Sequence, residues 1–358
     1  MFSFSRTKES TACMIDDRFI RFFSVEQNGK KVELKNFFSE RIPDELFDQE
    51  SFVSDGAFII RLNEVRKKTG IQKIHLVIPD QYVTVFHTVA PMHLFSGSKN
   101  DFQKTIEKYL NNLLAEHAEF SHLDVIADYD LIDETAEGYH LHVAVARPDE
   151  FKHIPALFES AGFSIGHIDI SSFAIHRVAK TMYAQKTYGV ISLGTHTTKI
   201  SAIRSGNIIA STLVPVGSEH LFDVLQQVLG ISRSESEEII HKYGILHSHP
   251  DKQVLGALFQ TLKPVVQGVE QVQLIASSSE LYTHDYYKQP IDEFYLYGIG
   301  ASISGVAQYV GIKTNTVIRP IDLIPLDFID EEILLQVPVE LLPLYLPVMS
   351  TAVHYLHD

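Results

Sequence analysis

The residue types with the most chemistry to offer lie in YGVISLGTHTTKISAIRSGN, residues 188–207. Two β-rich runs flank Gly194, Thr195, His196, Thr197 and Thr198. Glycine lets a backbone approach a ligand closely, and threonine hydroxyls and turn amides are donors for phosphate oxygens. The same residues also suit a plain β-turn, since glycine favours turns and threonine favours strands. A loop that holds a metal-bound nucleotide needs a hard oxygen ligand as well. Where that acid is expected, the chain has Ser192. Further on, YLYGIGASISGV sets Gly298, Gly300 and Ser302 in a glycine turn between a strand and a helix. Such turns also serve as simple connections. Glu237 sits on the helical run SRSESEEIIHKYG, one of several acids on a solvated face.

Other chemistries find less support. The chain has 18 histidines, with His140 and His142 on one face of a strand and His247 and His249 in a loop before Pro250. Neither pair has a cysteine partner or the His-Glu-x-x-His spacing of a zinc helix, so no metal site is expected. A Gly-x-Ser-x-Gly nucleophile elbow and a P-loop are both missing from the sequence.

The elements that must position these residues are legible from periodicity. ACMIDDRFIRFFSVEQNGKKVELKNFF reads as β-rich runs around the hairpin dipeptide Asn28-Gly29. A helix over 58–70, a buried strand KIHLVIP and a further strand YVTVFHTV follow. Ile106, Leu110, Leu113 and Leu114 recur at helical spacing. The order over 82–164 is β-α-β-β-α, a unit that reads as inserted. From residue 188 three strands recur, joined by turns, and helices follow through 283, with a capping box at Ser232 and Glu235. The two halves echo each other, which predicts two related α/β lobes around a cleft.

Composition bounds the partners. The chain has 358 residues, enough for two or three domains, and it is 45% hydrophobic and 21% charged. A net charge of −15 argues against nucleic acid, which requires a dense basic surface. One cysteine, Cys13, permits no internal disulfide and fits a reducing compartment. The opening MFSFSRTKES carries no long apolar segment, so no signal peptide is expected. In the apolar tail 333–353, Pro338, Pro343, Pro347 and Glu340 argue for a packed terminal helix over a membrane span.

The order of these segments resembles the actin/Hsp70-like superfamily and, within it, the PilM family of type IV pilus assembly proteins. GTHTTKISAIRSGNIIASTLVPVGSEHL is similar to the family's second phosphate segment. IEKYLNNLLAEHAEFSHLDVIADYDLI looks like its inserted 1C subdomain, and LFESAGFSIGHIDISSFAIHR like the return from it. ISRSESEEIIHKYG is similar to the family's adenosine-contacting helix, and YLYGIGASISGV to its adenosine loop.

The resemblance implies an actin-like (ribonuclease H-like) two-lobed α/β fold. Its first lobe spans 1–81 with 165–186, the 1C insert 82–164, the second lobe 187–330, and a C-terminal helical segment 331–358 returns to the first lobe. It implies ATP with Mg²⁺ between the lobes, contacted by Gly194, Thr195, Thr197, Thr198, Glu237, Gly298, Gly300 and Ser302. It also implies a groove, best placed between the insert and the first lobe, for the cytoplasmic N-terminal tail of a PilN-like inner-membrane protein. Pilus motor ATPases are the further partners, and the location is the cytoplasmic face of the inner membrane.

The chain departs from the family where the metal is held. On the first phosphate segment Met14 takes the aspartate position, Asp16 the glycine and Arg21 the lysine. A thioether is no ligand for hydrated Mg²⁺. Ser192 replaces the second acid, and Ile240 replaces a lysine on the adenosine helix. Phosphoryl transfer rests on positioning and charge neutralisation, so ATP hydrolysis is expected to be lost, with nucleotide and Mg²⁺ binding both in question. Two alternatives stay open: an actin-like ATPase or kinase working through a displaced Asp16 or Asp17, and a GspL-like cytoplasmic subunit of a type II secretion machine.

Overall fold

The computed structural model describes residues 8–15, 19–28, 31–43, 47–48, 51–52, 54–95, 101–116, 120–182, 187–204, 207–245, 250–278, 291, 293–321, 336–338 and 341–357. Residues 1–79 and 158–358 form one unit, and residues 80–157 form another.

In the larger unit, β1 (Lys8–Ile15) pairs antiparallel with β2 (Phe19–Asn28), and β2 with β3 (Lys31–Arg41). A short hairpin of β4 (Phe47–Asp48) and β5 (Ser51–Phe52) precedes helix α1 (Asp55–Thr69). Ser54 caps α1 by accepting the Ala57 N–H, which relieves one of the orphan donors at a helix start. Strand β6 (Lys73–Ile78) then lies parallel to β1, and β10 (Ser164–Ile170) lies parallel to β6. The sheet order is β10-β6-β1-β2-β3. Central parallel strands are covered on both faces, which is why KIHLVI is apolar almost throughout and buried from Ile74 to Ile78.

The second sheet repeats this plan. Strands β11 (Thr187–Leu193), β12 (Thr198–Arg204) and β13 (Asn207–Val214) form an antiparallel meander. Strands β14 (Glu293–Tyr297) and β15 (Val317–Pro320) add in parallel beside β11, giving the order β13-β12-β11-β14-β15. Helices α5 (Ser218–Leu229), α6 (Arg233–Tyr243), α7 (Lys252–Thr261), α8 (Lys263–Ser278) and α9 (Val306–Thr314) supply its apolar cover. Ile191, Ile200, Leu221, Ile240, Val269 and Phe294 meet in that core.

The smaller unit falls between β6 and β10. It contains β7 (Thr84–Pro91), α2 (Phe102–Glu116), β8 (Ile126–Glu134), β9 (Gly138–Ala146) and most of α3 (Pro148–Ser160). Its sheet order is β7-β9-β8. One face of α2 buries Ile106, Leu110 and Leu114 against Leu141, Val143 and Val145, as the helical spacing of the apolar residues requires. Two repeated five-stranded sheets with a β-α-β-β-α insert make this an actin-like α/β fold.

The chain closes with helix α10 (Leu342–His354), almost wholly buried. It packs on β1, β2 and α4 (Ser171–Met182). Tyr345 of α10 meets the rings of Phe23 and Phe37 at 6.4 and 5.5 Å between centroids. Two of the prolines that argue against a membrane span do not stop this helix: Pro343 sits in its first turn, where no N–H is needed, and Pro347 lies inside it. Among the described residues no helix is long and apolar enough to cross a membrane.

Hydrogen bonds fix α10 in place. Ser350 Oγ donates to the Ala174 carbonyl at 2.7 Å, and Thr351 Oγ1 to Asp169 Oδ2 at 2.7 Å. Asp169, at the end of β10, also accepts from its neighbour's Ile170 N–H at 2.8 Å and from the Arg177 guanidinium on α4. A buried carboxylate is tolerated only when its acceptor sites are filled, and these partners fill them. Replacing Asp169→Ala strands Arg177 and Thr351, with an expected loss of about 3–5 kcal/mol in urea unfolding. Lys35→Ala, which removes an ion pair to Glu9 between half-exposed side chains, is expected to cost less than about 1 kcal/mol in the same assay.

Candidate functional site

The turn between β11 and β12 is held from within. Gly194 N–H donates to the Thr197 carbonyl at 2.9 Å. The carbonyls of Gly194 and Thr195 accept the Ser218 and Glu219 N–H groups, both at 2.9 Å. Those two amides open helix α5, and in an anion site they would be free to point at the ligand. Gly217 N–H, just before them, donates to His220 Nδ1 at 3.1 Å. A Cβ on Gly217 would fall 2.2 Å from the Thr195 carbonyl oxygen, so only glycine lets the helix start press on the loop. Thr198 is fully buried, and its Oγ1 donates to the Val216 carbonyl at 2.6 Å. Thr195 is buried too, and its Oγ1 has no hydrogen-bond partner among the described residues. Thr197, like Ser192, is half-buried.

The glycine turn meets this loop through Leu193, the last residue of β11. Gly298, at φ 85, starts the 3-10 turn Ile299–Ser302. A Cβ on Gly298 would lie 2.7 Å from the Leu193 carbonyl oxygen, and one on Gly300 would lie 2.1 Å from the Leu193 side chain. Close packing on Leu193 therefore demands these glycines whether or not a ligand approaches them. Ser302 Oγ donates to the Ile299 carbonyl at 2.7 Å and closes the turn. Gly298 N–H reaches the Pro343 carbonyl of α10 at 3.4 Å.

Glu237 lies on α6 beside Arg233, with Oε1 2.7 Å from Nη1. Arg233 also forks onto Glu219 of α5 at 2.7 and 2.9 Å and stacks its guanidinium over the Phe222 ring at 3.7 Å. The pair between Arg233 and Glu219 carries bidentate geometry in a part-buried place and so couples α5 to α6. Ile240 is a core residue. The end of α6 presses on the segment after the glycine turn, where Ile245 N–H donates to the Ser304 carbonyl at 2.8 Å.

In the first sheet, Met14 is buried and stands opposite Arg21, itself 2% exposed. The Arg21 guanidinium lies 5.0 Å from the centre of the Phe19 ring. Burial pushes the Tyr345 hydroxyl's pKa up, while a hydrogen bond with Ser39 and the Arg21 charge act in the opposite direction. Asp16 and Asp17 lie outside the described residues.

The structure thus brings Gly194, Thr195, Thr197 and Thr198 to one turn and packs Gly298 and Gly300 against it through Leu193. It ties Glu237 to Arg233. Sequence reasoning missed Leu193, Arg233 and the Glu219 partner. Leu193 reads as one more apolar strand residue, and Arg233 and Glu219 are separated by a whole helix.

Three histidines of the insert, His87, His140 and His142, pack against one another. His87 Nε2 lies 3.1 Å from His140 Nδ1, and His140 Nε2 lies 3.1 Å from Thr135 Oγ1. Burial, and then the His140 charge, push the His87 pKa down to about 4. Among the described residues no three histidine, cysteine or acidic side chains are set to hold a metal, and His247 and His249 lie outside them. From an unfolded value near 6.5 to about 4, the unfolded chain binds a proton that folded His87 refuses. Stability is therefore expected to fall as pH drops through that window, by up to about 3 kcal/mol. Thermal unfolding across pH 4–7 checks this, with the slope reduced in His87→Leu.

Comparison with known proteins follows the same lines. The family model for the type IV pilus assembly protein PilM matches residues 15–327. No curated protein matches the sequence. The structure is similar to a chain of a PilM-PilN type IV pilus biogenesis complex, at 15% identity and TM-score 0.74, covering 98% of this chain and 99% of that one. It is also similar to MreB5 of Spiroplasma citri bound to ADP, at 9% identity and TM-score 0.51, covering 97% and 99%. The ethanolamine utilization protein EutJ from Carboxydothermus hydrogenoformans aligns at 12% identity and TM-score 0.49, covering 96% and 89%.

Proposed function

Because the chain belongs to the PilM family of type IV pilus assembly proteins, we propose that it is a pilus assembly scaffold that binds the cytoplasmic N-terminal tail of a PilN-like inner-membrane protein, without ATP hydrolysis. The observation that carries the partner is the likeness, over 98% of this chain, to a chain of a PilM-PilN complex. Through that tail the protein sits at the cytoplasmic face of the inner membrane and links pilus motor ATPases to the membrane complex.

The loss of hydrolysis rests on the chemistry of the turn. Mg²⁺ takes hard oxygen ligands at short, near-octahedral distances, and the two acid positions hold Met14 and Ser192. The backbone donors at Gly194, Ser218 and Glu219, with the Thr198 hydroxyl, already have protein acceptors. Among the described residues, Thr195 Oγ1 has no partner. Without a metal, and with those donors already engaged, the charge that develops on a transferring phosphoryl group is poorly neutralised.

Calorimetric titration of the full chain separates the parts of this reading. A synthetic peptide of the PilN-like tail from the same genome is expected to bind saturably at one site per chain. Mg-ATP is expected to give no turnover. Mg-dependent ATP hydrolysis refutes the scaffold-only reading, and absence of tail binding refutes the partner.

A further inference from the structure

The insert carries a slot that the nucleotide turn does not explain. It runs between α2 and β8 with a volume of about 500 Å³, and its described lining residues all belong to the smaller unit.

The shape of the slot follows from residue size and spacing. Gln103, Glu107, Asn111 and Ala115 recur at every fourth position and so share one stripe of α2. That stripe lies beside the buried one of Leu110 and Leu114. On β8, Ala127 and Tyr129 stand opposite Val145 and Val143, which pack in the core under α2. Directly opposed residues share a face, so Ala127 and Tyr129 are on the helix side of the sheet. Ala115 and Ala127 are both exposed, and a methyl group is too short to bridge the space between helix and strand.

The two ends of the slot differ from its middle. At one end, the Tyr129 hydroxyl's pKa is raised first by burial and then by the charges of Glu107 and Asp128, so both carboxylates act on one point. At the other end, the loop after α2 supplies Leu123, 47% exposed, and the exposed acid Asp124. From Glu107 to Ala115 the helix rises about 12 Å. No lysine or arginine is among the described lining residues. Negative ends with a narrow uncharged middle select a ligand that carries cations at its ends and methylenes between them. The Tyr129 ring adds an aromatic face for an ammonium group.

We infer that this slot takes an aliphatic diamine or polyamine, extended along α2, with one ammonium group at Glu107 and Asp128 and another at Asp124. Each ammonium donates charge-assisted hydrogen bonds to its carboxylates. The methylenes pass between Ala115 and Ala127 and against Leu123. A spacing of about six methylenes lets both ends come within hydrogen-bond distance of the acids. The site is separate from the nucleotide turn, and the inference does not rest on the tail-binding reading.

The test uses the full chain with hexane-1,6-diamine, hexylamine and hexanoate at neutral pH and constant ionic strength. NMR follows the methyl groups of Ala115, Ala127 and Leu123. The diamine is expected to shift all three and to bind about fivefold tighter than hexylamine, through one further exposed ion pair and a second equivalent end. Hexanoate is expected to shift none. Asp124→Asn is expected to remove the ion-pair share of that margin and to leave hexylamine binding unchanged. Ala127→Leu, which adds bulk inside the slot, is expected to remove both amines while the methyl shifts of the second lobe stay as they were, showing that the chain is folded. Glu238→Gln, a charge change on exposed α6, is expected to leave binding as it is. Equal binding of hexanoate, shifts confined to other methyl groups, or the full diamine margin in Asp124→Asn overturns the inference.

Discussion

The second lobe depends on how closely backbone can approach backbone around Leu193. On one side, Gly298 and Gly300 let the glycine turn lie against the end of β11. On the other, Gly217 lets the first turn of α5 rest on the Thr195 carbonyl. The N–H groups that open α5 then close on the carbonyls of Gly194 and Thr195. A helix start and a strand turn thereby satisfy each other's exposed polar groups, which buried backbone must do by some route. Protein carbonyls fill this role for the amides of Gly194, Ser218 and Glu219. That constraint links the fold to the functional conclusion.

The other anchors act at the ends of the chain. Asp169 gathers α4, β10 and α10 through Arg177, Thr351 and its neighbour's amide. The same helix α10 covers the face of the first sheet that holds Phe23 and reaches the glycine turn through Pro343. One terminal helix thus touches both five-stranded sheets' surroundings. Arg233 does the equivalent within the second lobe, joining α5 to α6 through Glu219. Met14 is a buried thioether and Ile240 a core aliphatic.

Much of this was legible in the residues. Asn28-Gly29 and the apolar runs beside it marked the first meander, and the second meander followed from the same pattern. Ile106, Leu110 and Leu114 announced the covering helix of the insert. The β-turn at Gly194 could be read as well, with its two interpretations. What stayed hidden depends on distance in the chain. Asp169 and Thr351 meet across 182 positions, and no local pattern reports that. Leu193 carries no chemical mark, although two glycines exist because of it. The packed terminal helix expected from the tail forms as α10, with Pro347 inside it.

The central claim is that the amides of Gly194, Ser218 and Glu219 are satisfied by the protein itself. Hydrogen exchange at the amides of Gly194, Ser218 and Glu219, with and without Mg-ATP, tests it directly. Slow exchange in the free chain, unchanged by Mg-ATP, is the predicted result. Fast exchange in the free chain that slows when Mg-ATP is added would show that the donors wait for phosphate, and would contradict the account.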